Sequence, residues 1–297
     1  MRLDDERESQ YVEDRRYSGS GAPGGGRLSA GALMMLWPLI RPLLRTKVGW
    51  AILGIGVLAY VSGFNPLSLS GEGSQSSQPV HTAREDREAV FIKKVLASTE
   101  DVWSGLLSRY GRRYQPPTLV LFRGHTRSGC GYASAQTGPF YCPGDGKIYL
   151  DLGFFDELAR RHDAPGDFAQ AYVLAHEVGH RVQDELGILE KVHTLQAQAL
   201  RRGDKRRANH LQIPVELQAD CFAGIWAHHA RKYLEPGDIE EAMNAASQIG
   251  DDTLQKQARG YVVPDSFTHG TSRQRTEWFM RGYRSGKLKS CDPFRGS

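Results

Sequence analysis

The sequence lacks any dense run of basic residues interleaved with aromatics. Lysine and arginine number 38 against 34 acidic residues, and the basic ones are scattered. Nucleic-acid binding, which needs a clustered electrostatic footprint, is therefore excluded. No internal repeat recurs at solenoid or propeller periods, so those architectures drop out too. Cysteine is scarce, with four in 297 residues, and none sits in a CxxC knuckle of the kind a structural zinc ribbon uses. Long apolar runs are nearly missing as well. The exception is "VGWAILGIGVLAYVSGF", residues 48–64, which carries no charge over 17 positions.

That stretch is at the short end of what spans a bilayer as a helix, so it reads as an N-terminal transmembrane anchor. A cleaved secretory signal would lie near the extreme N-terminus, whereas this run stands behind a long polar tail. Residues 1–27 are charged and then glycine-rich, too poor in apolar side chains to offset the entropy of ordering. They are expected to be flexible and to contribute nothing to the core. Arg41, Arg45 and Lys47 precede the anchor, and the positive-inside rule then leaves the N-terminus in the cytoplasm. The expected order is a cytoplasmic tail at 1–47, a transmembrane helix at 48–64, a linker at 65–85 and an exported domain at 86–297.

All four cysteines fall in that last part. An oxidising compartment would pair them, and we expect Cys130 with Cys142 and Cys221 with Cys291. The first pair would staple a local loop, worth about 3 kcal/mol by loop closure.

From Asp167 to Leu186 the residues read as a helix, with apolar positions 168, 171, 172, 175, 178 and 182 at helical spacing and Gly187 fit to end it. Within it lies HEVGH, so His176 and His180 share one face and can reach one ion together. Zinc suits two imidazoles so placed. Glu177 lies about 100° round the helix, beside the metal and able to take a proton from an attacking water. Catalytic zinc wants a third protein ligand. A metzincin would place glycine at 183 and histidine at 186, but this chain has Gln183 and Leu186, so that class is excluded. A second helix, "PVELQADCFAGIWAHHARKY", offers Glu216 as third ligand, with Pro214 expected in its first turn. Asp220, one turn on, can hold the far nitrogen of a ligand imidazole.

HEVGH followed by ELQAD resembles the gluzincin arrangement. Together with "CGYASAQTGPFYCPGDGKIYLDLGFF", "VELQADCFAGIWA" and "SFTHGTSRQR", it is similar to the bacterial family of neutral zinc metallopeptidases of the YpfJ type. The resemblance implies His176, His180 and Glu216 as ligands and Glu177 as general base. It also implies a bacterial inner-membrane protein with its domain on the periplasmic side.

Other pieces of a protease are sought elsewhere in the chain. "TLVLF" at 118–122 reads as an interior strand, and "KIYLDL" at 147–152 as the edge strand that pairs with extended substrate. His269 is the candidate oxyanion donor, with Tyr261, Tyr283, Arg273 and Arg275 as alternatives. His193, His210, His228 and His229 are assigned to surface or packing. Gly179, inside the motif, suggests a close approach by a neighbouring helix or by substrate. Asp251 and Asp252 either order the site or form a turn.

The expected protein is α+β, a zincin-like domain that is mainly helical with a small sheet. It would hydrolyse a peptide or protein substrate with Zn²⁺ from behind one membrane anchor. The competing reading is an inactive, zinc-stabilised binding or scaffold domain at the membrane.

Overall fold

The computed structural model describes residues 1–17, 83–134 and 137–294. The anchor expected at 48–64 and nearly all of the 65–85 linker lie outside these residues. Among those described, no helix is long and apolar enough to cross a membrane.

The described residues form an α+β unit, mainly helical with a small sheet. Its sheet takes β1 (Val12–Asp14), β2 (Thr118–Phe122), β5 (Phe140–Cys142) and β6 (Lys147–Asp151) in the order β1-β2-β6-β5. The first three in that order run parallel, and β5 is antiparallel to β6. Strands β3 (His125–Ser128) and β4 (Gly131–Ser134) form a separate hairpin. Both β2 and β6 are buried over four of five positions, as apolar strands covered on both faces should be. The edge-strand assignment for 147–152 is thereby corrected. Strand β6 is interior, and the edge nearer the site is β5, too short at three residues to stand out in the sequence.

Eight α-helices complete the described unit: α1 (Ala83–Ser108), α2 (Gly153–Arg161), α3 (Asp167–Glu185), α4 (Ile188–Arg201), α5 (Lys205–His229), α6 (Asp238–Gln248), α7 (Asp251–Arg259) and α8 (Ser272–Ser285). The six apolar positions read for α3 are all buried, and the helix ends where Gly187 takes φ 72°, as its composition requires. A Cβ at Gly179 would stand 3.0 Å from the Ala219 carbonyl oxygen. The glycine therefore lets α3 and α5 approach closely, which puts the two helices' functional groups within reach of one ion. Helix α5 starts earlier than expected, at Lys205, capped by Asp204 accepting from the Arg207 amide. Pro214 is thus inside the helix and not in its first turn.

A second correction concerns the N-terminus. Residues 1–17 are not a passive tail. Met1 and Leu3 are 6% and 4% exposed within the main core cluster, and β1 pairs in register with Leu119, Val120 and Leu121 of β2. The Met1 amine lies 2.9 Å from Asp167 and 3.1 Å from Asp238. Arg16 donates to the Glu85 carbonyl and Tyr17 to Asp86, closing the segment onto the start of α1. The expected boundary between an N-terminal tail and the domain therefore does not follow the packing: residues 1–17 share one compact unit with the described residues from Ala83 onward.

Candidate metal centre

Helix α3 presents His176 and His180 one turn apart, and α5 presents Glu216 opposite them. The Glu216 Oε2 atom lies 3.2 Å from His176 Nε2 and 3.6 Å from His180 Nε2. Two atoms bound to one zinc at about 2.0–2.1 Å in a tetrahedron stand about 3.3 Å apart, so the donor set fits that ion in spacing as well as in chemistry. The three groups form one of two clusters of metal-capable side chains among the described residues. The other, Asp167 with Asp238 and Glu241, receives the Met1 amine at its two aspartates.

Each of the three groups is held from behind. Asp220, fully buried, lies 2.8 Å from His176 Nδ1, which directs Nε2 at the centre. Arg275 on α8 grips Asp220 by two donors at 2.9 Å, and the Tyr172 hydroxyl adds a third at 2.5 Å. His180 Nδ1 meets Gln183 Oε1 at 2.8 Å. Glu216 Oε1 accepts from Gln212 at 2.8 Å.

The charges follow this geometry. Burial opposes ionisation of Asp220, but Arg275 and His176 overcome it and bring its pKa to about 2. Burial likewise disfavours the Glu216 anion, yet the charge on His180 and the bonds from both imidazoles hold it well below the usual range. His176 is pushed down by burial and pulled up more strongly by Asp220 and Glu216, to about 9. Without a metal the imidazole thus keeps a proton. Loading a cation must expel that proton, so uptake is coupled to pH.

Glu177 is 7% exposed, and its Oε2 accepts the Tyr141 amide of β5 at 2.8 Å. Burial raises its pKa above the ordinary carboxylate value. It lies outside the three-residue cluster, lining the same cavity of about 930 Å³ as His176, His180 and Glu216. His269 lines that cavity as well, with Nδ1 3.2 Å from Asp251 Oδ1. Asp251 also accepts the amides of Thr268, His269 and Gly270, so its role is to order this loop. The alternatives to His269 fall away. Among the described residues, Tyr261, Tyr283 and Arg273 do not line the cavity, and Arg275 is committed to Asp220.

His193 is exposed, as its assignment to surface or packing expects, and it also lines the cavity. His228 and His229 bond carbonyls of the α8 end, as packing residues do. Both cysteine pairs are bridged as expected, Cys130 with Cys142 and Cys221 with Cys291. Sequence reasoning missed Arg275 as the clamp on Asp220 and gave Gln183, Gln212 and Tyr172 no role. Their one legible signal was the burial implied by helical spacing from the motif.

A small α+β unit with two imidazoles and a carboxylate converging from two helices has the makeup of a zinc-dependent peptidase. The family model described as "Putative neutral zinc metallopeptidase" matches residues 1–294, and the chain belongs to that family. It is 46% identical to "Uncharacterized protein YpfJ" of Escherichia coli K12, over 99% of both chains. It is also 40% identical over 210 residues to "Uncharacterized protein Rv2575" of Mycobacterium tuberculosis H37Rv, 66% of this chain and 67% of that one. No solved structure matches. The family match includes the N-terminal residues, in keeping with their place in the core.

Proposed function

We propose that the chain is a zinc metallopeptidase of zincin type that hydrolyses peptide bonds. The observation that carries this is Glu177, a buried carboxylate beside the donor set but not part of it. A purely structural site gains little from such a group, whereas hydrolysis needs it. Zinc held by His176, His180 and Glu216 would polarise the scissile carbonyl and acidify the attacking water. Glu177 takes the proton from that water and returns it to the leaving amine. Its raised pKa suits both acts. His269, oriented through Nδ1 by Asp251, offers its other nitrogen to the developing oxyanion. Extended substrate lies along the β5 edge, whose Tyr141 amide already meets Glu177. Hydrolysis of an unbiased peptide mixture that requires zinc and Glu177 together tests this reading.

The fold also bears on location. Residues 1–17 belong to the same compact unit as the described residues from Ala83 onward, and β1 is hydrogen-bonded to β2. One crossing by residues 48–64 would put those two strands on opposite faces of a bilayer. We propose instead that residues 1–17 and the cavity lie on the same side of any membrane the chain meets, in one oxidising compartment. Asp5→Cys and Arg259→Cys, both at exposed positions, test this in sealed membranes with an impermeant maleimide. Both should react from the same face. Reaction from opposite faces would restore the single crossing.

A further inference from the structure

The His180 imidazole is held by a chain of amides that ends at a disulfide. Gln183, fully buried, accepts from His180 Nδ1 at 2.8 Å through its oxygen and donates through its nitrogen to the Val215 carbonyl at 2.7 Å. The same nitrogen donates to Gln218 Oε1 at 3.1 Å, and Gln218 Nε2 donates to the Cys291 carbonyl at 2.7 Å. Direction runs one way along this chain. A backbone carbonyl can only accept, so Gln218 must turn its NH₂ to Cys291 and its oxygen to Gln183. With the Val215 carbonyl and the Gln218 oxygen both taking its NH₂, Gln183 presents its own oxygen to His180. When a cation displaces the Nε2 proton, the imidazole keeps its other proton on Nδ1 and offers the lone pair of Nε2, the atom 3.6 Å from Glu216. Cys291 is 1% exposed and tied to Cys221, three residues after Gln218 on α5.

We propose that the Cys221–Cys291 bridge is part of the metal site. By fixing the Cys291 carbonyl it orders Gln218, which together with the Val215 carbonyl holds Gln183 and so the tautomer and orientation of His180. This rests on the zinc reading above. It makes Gln183 and Gln218 positioning residues and makes metal retention depend on an oxidised bridge, as befits a domain that functions outside the reducing cytoplasm.

The test is a four-member cycle on the full chain, reading zinc Kd by competition with a chelator: wild type, Gln218→Met, Cys221→Ala with Cys291→Ala, and all three changes combined. Methionine keeps the volume of Gln218 without its amide. Removing partners behind a ligand weakens metal binding by about 10–100-fold, so Gln218→Met and the bridge variant should each lose about 10-fold or more. The combined variant should lose no more than either, because both cut one chain. Losses that multiply would show that the bridge acts only through general stability and would overturn the proposal. So would unchanged affinity in Gln218→Met, a readout that remains if the bridge variants do not fold. Weak zinc binding already in wild type would instead sink the zinc reading.

Discussion

Glu177→Gln should lower kcat for peptide hydrolysis by about 10³-fold, within the 10²–10⁴-fold typical of losing a positioned general base. That corresponds to about 4 kcal/mol of transition-state stabilisation. Zinc content and KM should hardly move. The glutamine oxygen can still accept the Tyr141 amide, and Glu177 is not among the three groups that converge on the metal. The loss therefore belongs to proton transfer and not to folding or loading. Single-turnover rates on a fluorogenic peptide, measured beside metal analysis, check this. Equal rates in both chains would remove Glu177 from the chemistry. No hydrolysis in either, with zinc bound, would favour a scaffold.

The second large effect concerns the N-terminus. Deleting residues 2–17 from the full chain removes Leu3 from the core, displaces Met1 and strips β1 from β2. Burial of two such side chains is worth about 3–6 kcal/mol, against total stabilities of about 5–15 kcal/mol. Arg7 also loses its bond to the buried Glu100 at 2.9 Å, leaving a carboxylate in the core without that partner. A fall in Tm of about 10–20 °C, or failure to fold, is expected by calorimetry. An unchanged Tm would mean that residues 1–17 are dispensable, and the argument for a shared compartment would lose its footing.

The centre was legible in the sequence because its parts obey helical spacing. HEVGH needs no tertiary information to place two imidazoles on one face, and ELQAD needs only a second helix. The residues behind the ligands were not legible in that way. Arg275 reaches Asp220 across 55 positions, and Gln218 reaches Cys291 across 73, separations that no local pattern encodes. The N-terminus misled for a different reason. Its buried apolar content is little more than Met1 and Leu3, while its charged residues find partners such as Glu100 and Asp101 only after folding. Composition alone therefore reads it as a disordered tail. Pro214 misled through its preference for a first helical turn, which the Asp204 cap, ten residues upstream of it, overrode by starting α5 earlier.

The central claim is that α3 and α5 bring two imidazoles and one carboxylate onto a single cation. Anomalous diffraction at the zinc edge from crystals of the zinc-loaded chain tests it most directly. The account predicts one strong peak at about 2.0–2.2 Å from His176 Nε2, His180 Nε2 and a Glu216 oxygen. A peak elsewhere, or one at the two histidines with Glu216 turned away, would contradict it.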